Sequence, residues 1–374
     1  MGKKVIAAGH ICLDITPAFP NRKYESASEI LQPGKLIHMG KADVHVGGSV
    51  ANTGLAMKIL GAEVVLAGKV GDDIFGEIVL ESMRKYDAGE EMLVAPGMAT
   101  AHSVILAIPG IDRIFLHHPG VNDTFSADDI SEKLLEDTTL FHFGYPTVMK
   151  KFYENEGEEL LHLLKKVKEK GIATSVDMAA VDGDSPAASV CWEKVLEKTI
   201  PYIDIFMPSA EELCVMVDKN RLDEWKKRAG GKDITEILDI DKDIRPLADR
   251  CFEMGAKILV IKCGVCGMYY RTAESERMSS LEPLLEGKID QWTLQEGFEK
   301  SYKPDKFLSG TGAGDTSIAA FLTALLKGYG LKECVQLAAA TGAACVSEYD
   351  ALSGLQSLEV LEQKIRSGWP KIEI

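Results

Sequence analysis

The chain has 374 residues, of which 46% are hydrophobic and 26% charged, so it is long enough for one large α/β domain with an attachment, or for two domains. Its net charge of −15 disfavours partnership with nucleic acid or an anionic membrane surface, because the overall field repels polyanions. No apolar stretch reaches the roughly 18 residues that a membrane span needs.

Short apolar runs typical of β-strands alternate with amphipathic runs typical of helices along most of the chain. We predict helices at 49–60 and 74–86, and strands at 4–8, 64–69, 140–143, 172–177, 203–207 and 258–262. This alternation predicts an α/β fold with a three-layer core, in which helices cover both faces of a mostly parallel central sheet. Ligands bind such sheets at the carboxyl ends of the strands.

Two segments interrupt this rhythm. Residues 15–46 show no clear helix, and residues 100–116 alternate in hydropathy around a turn at Pro109-Gly110, as antiparallel strands do. We expect these segments to form a small β-sheet lid over the strand ends. The predicted boundaries are 1–14, 47–99 and 120–374 for the core and 15–46 and 100–119 for the lid, while 219–245 and 273–305 carry no clear pattern.

The run LSGTGAGDT at 308–316 is the most informative stretch, because it leads directly into an apolar helical pattern. Glycines leave backbone N–H groups unobstructed, and the first N–H groups of a helix have no intrahelical partner. They lie at the positive end of the helix dipole, so the position attracts anions. Asp315 in this run either caps the helix or takes a proton from a substrate beside a bound phosphate.

A second glycine cluster also precedes a predicted helix. Gly47 and Gly48 permit close approach of a ligand to the backbone, and Asn52 one turn later presents an amide. Asp14 follows the first strand, so we expect it at a strand's carboxyl end, where a carboxylate can accept sugar hydroxyls. The alternatives are a Gly-Gly turn with a serine cap, and an aspartate that serves as a cap or turn residue.

These two clusters, GG-x-x-x-N at 47–52 and GAGD at 312–315, resemble the two signature motifs of the PfkB (ribokinase-like) carbohydrate kinase family. The resemblance extends over about residues 4–355 and includes the order of the intervening motifs. It implies an α/β core with a β-sheet lid, ATP as phosphoryl donor, and a sugar or related alcohol as acceptor.

The resemblance also implies roles for individual residues. Asp315 falls on the family's catalytic base, and a carboxyl with an ordinary pKa of about 4 is ionised at pH 7 without special tuning. The amides of the preceding turn would form the anion hole for the moving phosphoryl group. The expected anion-hole residues are Gly312, Ala313 and Gly314, and the expected acceptor-binding residues are Asp14, Gly47, Gly48 and Asn52. Tyr145 joins the expected acceptor-binding residues for a different reason: it follows a predicted strand, and the carboxyl end of that strand should face the ligand.

The nucleotide side of the resemblance rests on two further runs. The stretch 258–267 matches the family's strand and glycine turn beside ATP, which implies nucleotide contacts from Lys262, Gly264 and Gly267. Glu212 matches the family's Asn-x-x-Glu motif and is expected to act on Mg²⁺ through water, with Ser209 in the asparagine position. Ser309 replaces the aspartate that helps some relatives to hold a monovalent cation, so activation by potassium stays open.

Motifs of other functional classes are weak or missing in the sequence. Cys263-x-x-Cys266 permits a redox or zinc site, but no partner pair with ligand spacing is evident. Dinucleotide-binding, P-loop and protein-kinase motifs are missing. A nucleoside kinase of the same family and a catalytically silent sugar- or nucleotide-binding protein remain alternatives. Scattered cysteines and the absence of a visible signal peptide favour the cytoplasm. The resemblance also implies a homodimer in which lid strands of two subunits pair, as in dimeric relatives.

Overall fold

The computed structural model describes residues 3–111 and 113–373. Its strands are β1 (Lys4–Gly9), β2 (Cys12–Thr16), β3 (Asp43–Gly47), β4 (Glu63–Ala67), β5 (Lys69–Gly71), β6 (Leu93–Ala95), β7 (His102–Leu106), β8 (Ile114–His118), β9 (Thr138–Gly144), β10 (Ala173–Asp177), β11 (Ile205–Phe206), β12 (Ile258–Lys262), β13 (Gly267–Thr272) and β14 (Glu296–Lys300).

Eight of these strands form the central sheet, in the order β14-β13-β12-β11-β10-β9-β1-β4. The pairs from β4 to β12 are parallel, whereas β13 and β14 add antiparallel strands at one edge. The register places Gly144 opposite both Gly9 and Asp177, so the carboxyl ends of three neighbouring strands meet. The predicted mostly parallel sheet is confirmed.

Helices cover both faces of this sheet. The longer ones are Ile74–Arg84, Glu158–Glu169, Trp192–Thr199, Ala210–Val217, Lys219–Ala229, Arg245–Glu253, Ala313–Leu326, Leu331–Cys345 and Leu358–Arg366. Shorter helices lie at Ala56–Ile59, Glu132–Leu135, Lys150–Tyr153, Ser275–Met278, Glu282–Leu285 and Ile289–Trp292. Among the described residues, none of the helices combines the length and apolarity required to traverse a bilayer.

Successive side chains of β1 are buried on opposite faces of the sheet, and this explains the three layers. Val5 and Ala7 are buried in one hydrophobic cluster, while Ile6 and Ala8 are buried in another on the opposite face of the sheet. A strand with both faces covered must be apolar at successive positions, which is the pattern that the sequence shows. The helices Ala313–Leu326 and Leu331–Cys345 pack together within the first cluster.

The second sheet has the strand order β3-β2-β7-β8. Strands β7 and β8 are antiparallel, as predicted around Pro109-Gly110, whereas β2 pairs with β7 in parallel. Strand β2 begins at Cys12, before the predicted boundary at 15, so Asp14 lies inside a strand of this small sheet and not at the end of β1. The cause is Gly9, whose φ of +130° turns the chain out of the central sheet.

Several element boundaries differ from the prediction for local reasons. The predicted strand 64–69 divides into β4 and β5, which belong to different sheets. The predicted helix 49–60 starts as a π-helical turn, Val50–Leu55, which carries Asn52. The segment 273–305 contains short helices followed by β14. Its apolar residues, such as Leu281, Leu284 and Trp292, join the core from separate helices of three or four residues, each too short to give a sustained periodic signal.

Candidate active site

The carboxyl edge of the central sheet borders a cavity of about 450 Å³. Its walls come from the ends of β9, β10 and β12 and from the first turns of Ala210–Val217 and Ala313–Leu326. Ten of the residues singled out from the sequence line it: Tyr145, Ser209, Glu212, Lys262, Gly264, Gly267, Gly312, Ala313, Gly314 and Asp315. The structure therefore gathers the predicted catalytic and nucleotide-binding residues around one cavity.

Asp315 is buried and lies at the third position of the helix Ala313–Leu326. Its carboxylate accepts hydrogen bonds from Asn52 Nδ2 at 2.9 Å and from the Tyr145 hydroxyl at 2.7 and 2.8 Å. Gly312 occupies the N-cap position of the helix. Asp315 is therefore not the cap, and its side chain joins parts of the chain that lie far apart in sequence.

Burial raises the pKa of Asp315 above the ordinary carboxyl value, although the hydrogen bond from Tyr145, the charge of Lys262 and the hydrogen bond from Asn52 oppose the shift. The prediction of an ordinary pKa for this group was wrong, because the sequence does not reveal that the carboxyl is enclosed. Burial and the neighbouring Asp315 carboxylate raise the pKa of Tyr145 far above its usual range, so the phenol stays protonated and donates.

Glycine is required at Gly312, where φ is +71° and a Cβ atom would lie 2.2 Å from the Cβ of Ala351. The next turn of chain is the start of the helix, where backbone N–H groups point outward without intrahelical partners. The Ala313 N–H has a long contact of 3.4 Å with the Gly310 oxygen. All three residues of the predicted anion hole, Gly312, Ala313 and Gly314, line the cavity.

Lys262 ends β12, and its ammonium donates to Asp177 Oδ1 at 2.6 Å. Burial would lower the pKa of Lys262, but Asp177 and Glu212 hold it above its usual value, so the group is an ammonium. Burial raises the pKa of Asp177 to about 8, against the opposing charge of Lys262. Asp177 was not predicted; its only signal is a position at the end of an apolar strand.

Ser209 and Glu212 form a reciprocal capping box at the start of Ala210–Val217. The Ser209 hydroxyl accepts from the Glu212 N–H at 3.2 Å, and Glu212 Oε2 accepts from the Ser209 N–H at 2.7 Å. Ser209, which stands where the resemblance places an asparagine, thus caps the helix. It also fixes the orientation of the Glu212 carboxylate beside the cavity.

The turn that contains the two cysteines lies against the same cavity. Gly264 and Gly267 have φ values of +52° and +134°, and a Cβ at Gly267 would lie 2.0 Å from the Glu299 oxygen. Burial raises the pKa of Cys263 to about 12 and also raises the pKa of Cys266, whose thiol contacts the Thr235 oxygen at 2.6 Å. Both sulfurs are therefore protonated thiols that pack within the turn.

Four of the predicted acceptor-binding residues, Asp14, Gly47, Gly48 and Asn52, are not among the residues that line this cavity. A Cβ at Gly47 would lie 2.0 Å from Asp14 Oδ2, so only glycine permits this close contact with the carboxylate. Asp14 Oδ2 also lies 4.0 Å from His45 Nε2. Burial raises the pKa of Asp14, while the charge of His45 opposes the shift. Asn52 links this group of residues to Asp315.

His10 is a further polar residue in this region, and no sequence pattern marks it as a candidate. It is buried, and neither ring nitrogen has a hydrogen-bond partner among the described residues. Its ring lies 5.3 Å from that of His117 and 6.1 Å from that of Tyr145, and a Cβ at Gly48 would lie 2.7 Å from Nδ1. Burial, with the charge of His117, lowers the pKa of His10 to about 3, so the imidazole is neutral.

Comparison with known proteins places the chain in a family. The model of the pfkB family carbohydrate kinases matches residues 8–358. The uncharacterized sugar kinase of Archaeoglobus fulgidus is 25% identical over 301 residues, which are 80% of this chain and 98% of that protein. The 5-dehydro-2-deoxygluconokinase of Halalkalibacterium halodurans is 25% identical over 368 residues, which are 96% of this chain and 94% of that protein.

Solved structures show the same fold. Ribokinase from Giardia lamblia has a TM-score of 0.71 at 15% identity, with 98% of this chain and 99% of that chain covered. Arabidopsis thaliana ribokinase complexed with ribose and ATP has a TM-score of 0.67 at 17% identity, with 97% and 98% covered. The predicted ribokinase-like fold is confirmed. The chain belongs to the PfkB family of carbohydrate kinases and is a phosphotransferase that acts on a sugar hydroxyl.

Proposed function

We propose that the protein transfers the γ-phosphoryl group of ATP to a hydroxyl of a sugar or sugar acid, with Asp315 as general base. The observation that carries this proposal is the buried Asp315 carboxylate beside the start of a helix, hydrogen-bonded to Asn52 and Tyr145 at the edge of the cavity. Phosphoryl transfer needs positioned reactants, donors for the phosphoryl oxygens and a carboxylate near the attacking hydroxyl.

The raised pKa of Asp315 suits a base that must take up a proton in the transition state. In the present arrangement Tyr145 and Asn52 donate to both carboxylate oxygens. The incoming hydroxyl shares or replaces one of these donors, and its proton passes to the carboxylate as the oxygen attacks phosphorus. The remaining donor keeps the carboxylate oriented.

The residues that line the cavity favour the binding of a nucleoside triphosphate together with Mg²⁺. The turn at Gly264–Cys266 and the amides of 312–314 border it, and five of its described lining residues are acidic: Asp177, Glu211, Glu212, Asp233 and Asp315. A triphosphate needs a counter-charge in such surroundings. Glu212 would hold Mg²⁺ through water, since Mg²⁺ keeps part of its hydration shell, and the ion would supply charge neutralisation for the phosphates.

The acceptor would lie between the core and the small sheet, with Asp14, Gly47, Gly48 and Asn52 as contacts. The neutral ring of His10 joins them, because unpartnered buried nitrogens are suited to a ligand hydroxyl. We propose the small sheet as a lid that excludes water during transfer. Arg113, which precedes β8, donates to the Thr311 hydroxyl and so links this sheet to the glycine turn.

Turnover of Mg-ATP with a panel of acceptors tests the proposal. The panel contains D-fructose, D-ribose and 5-dehydro-2-deoxy-D-gluconate, which follow from the names of relatives and structural neighbours, and adenosine as a representative nucleoside. We expect ADP formation that depends on one of the sugars and is lost in Asp315→Asn. Turnover of adenosine alone would make the protein a nucleoside kinase. Mg-ADP binding without turnover of any acceptor would indicate a silent binding protein and overturn the proposal.

Three finer predictions stay untested. The cytoplasmic location, the homodimer formed through the lid and the response to potassium each await measurement. Val44, Phe115 and Leu116 are exposed apolar residues on the small sheet, which supports an association of its strands. Sedimentation of the purified protein distinguishes monomer from dimer, and assays in potassium and in tetramethylammonium salts measure the cation response.

A further inference from the structure

We propose that Lys262 is a catalytic residue that contacts the transferring phosphoryl group, and that Asp177 is the positioning residue that holds it ready. This inference rests on the proposed kinase function. Its starting point is the buried ion pair between the two residues at the carboxyl ends of β12 and β10, where Lys262 Nζ lies 2.6 Å from Asp177 Oδ1.

The ammonium is next to the predicted anion hole. A Cβ at Gly314 would lie 3.7 Å from Lys262 Nζ and 3.6 Å from its Cε, so the lysine side chain packs against the first turn of Ala313–Leu326. A phosphoryl group bound by the amides of that turn would be within reach of this ammonium without any movement of the backbone.

Charge makes Lys262 distinctive within the cavity. Among the lining residues that the structure describes, it is the one Lys or Arg, whereas five are acidic. The charges of Glu212 and Asp315 both raise the pKa of Lys262, so its ammonium interacts electrostatically with carboxylates on other elements that line the cavity. Charge on the equatorial oxygens of a transferring phosphoryl group requires compensation, and a fixed cation supplies it with little reorganisation.

The hydrogen-bond inventory leaves room for a ligand. An ammonium has three N–H donors, and the structure gives Lys262 one partner, Asp177, among the described residues. The side chain is 10% exposed, and it lines the cavity. Two donors are therefore free for phosphoryl oxygens while Asp177 keeps the third, so the ammonium need not give up its partner.

The bond between the γ-phosphorus and the ADP oxygen breaks, the bond between phosphorus and the acceptor oxygen forms, and the acceptor proton passes to Asp315. Lys262 donates hydrogen bonds to the transferring phosphoryl group and transfers no proton. Because ADP lacks that group, Lys262 should stabilise the transition state strongly and contribute little to the binding of ADP.

The chain offers a matched control for Lys262→Met. Lys257 immediately precedes β12 and forms a second buried ion pair, with Asp204 Oδ1 at 3.0 Å, remote from the cavity lining. We would measure, for wild type, Lys262→Met and Lys257→Met, the kcat with the acceptor found above, the Kd of Mg-ADP, and the Kd of Mg-ADP with aluminium fluoride and that acceptor.

We expect Lys262→Met to lower kcat by about 10²–10³-fold and to weaken the aluminium fluoride complex by a similar factor, with the Kd of Mg-ADP changed by less than about threefold. Lys257→Met should lower thermal stability and leave kcat and both dissociation constants near wild type. Equal weakening of the Mg-ADP and aluminium fluoride complexes, or a normal kcat in Lys262→Met, would overturn the inference. Absence of wild-type turnover would instead reject the proposed function.

Asp177→Asn provides a second measurement that does not depend on the folding of Lys262→Met. The amide keeps the shape and an acceptor but cannot carry the negative charge that orients the Lys262 ammonium, so we expect kcat and the affinity of the aluminium fluoride complex to fall together by about tenfold, with the Kd of Mg-ADP changed by less than about threefold. A solely structural ion pair predicts lower stability with kcat and the aluminium fluoride complex near wild type, and that result would contradict the positioning role.

Discussion

Strand β12 has a buried Lys–Asp pair at each end, and the two pairs differ in how completely their carboxylates are satisfied. At the amino end, Asp204 binds Lys257 at 3.0 Å and Lys168 at 2.6 Å, and it accepts from the Thr174 N–H at 2.9 Å. At the carboxyl end, the structure gives the Asp177 carboxylate one partner among the described residues, Lys262.

The pKa directions reflect this difference. Burial alone would raise the pKa of Asp204, but Lys257 and Lys168 hold it below its ordinary value. Burial raises the pKa of Asp177 to about 8, because Lys262 offsets the burial only in part and the nearby Glu212 and Asp315 carboxylates add to it. One end of the strand is thus a completed structural contact, and the other keeps charge available for a ligand.

Asp315→Asn should show the largest effect, and it concerns the carboxyl end alone. We expect kcat to fall by about 10²–10⁴-fold because the general base is lost, with little change in the KM of the acceptor. Steady-state kinetics with the acceptor identified above measure both quantities. A kcat within tenfold of wild type would remove Asp315 from its role.

Asp204→Ala should destabilise the fold more than any change at Asp177. Removal of this carboxylate leaves the buried ammonium groups of Lys168 and Lys257 without their partner, which costs about 3–5 kcal/mol of unfolding free energy. Urea unfolding of Asp204→Ala beside Asp177→Asn measures the contrast. Equal losses in the two variants would show that the two ends of β12 are alike.

The pH dependence separates the two carboxylates further. Asp204, with its pKa lowered by folding, adds stability that is present above the unfolded value of about 3.9 and is lost as pH falls through the folded pKa. The pKa shift of Asp177 has the opposite sign. Since folding raises its pKa to about 8, the folded state loses stability as pH rises from about 4 through 8.

Unfolding free energies at pH 6 and pH 9 measure this difference. Wild type should lose stability over that interval, and Asp177→Asn should lose less, because its amide does not ionise. The same slope in both proteins would show that Asp177 keeps an ordinary pKa. Activity should also decline on the acid side at a higher pH than an ordinary carboxyl would cause, because burial raises the pKa of Asp315.

His10→Phe should have the smallest effect. The ring shape is kept and two unpartnered buried nitrogens are removed, so stability should be unchanged or higher by up to about 1 kcal/mol. If a ring nitrogen binds an acceptor hydroxyl, the KM of the acceptor rises about tenfold while the KM of ATP stays constant. An unchanged acceptor KM would assign His10 to packing alone.

Local patterns in the sequence determined the fold class and much of the site. Apolar runs predict buried strands, and the glycine motifs that end in Asn52 and Asp315 mark the turns where a backbone must approach a ligand. The sequence also predicted the hairpin of β7 and β8, because a Pro-Gly turn between alternating runs is a local feature. The edge strand β14 was missed, since its residues are only partly buried and give no such signal.

Tertiary structure decided which polar groups meet and how they ionise. Asn52 and Asp315 are 263 residues apart and Lys262 and Asp177 are 85 apart, so no local pattern records either contact. The raised pKa values of Asp177 and Asp315 and the unpartnered ring of His10 arise from burial, which depends on the packing of several elements at once. The sequence by itself determined which glycine turns and polar residues stand at the carboxyl edge of the sheet; the packing around them determined which of their charges are satisfied by other residues and which are not.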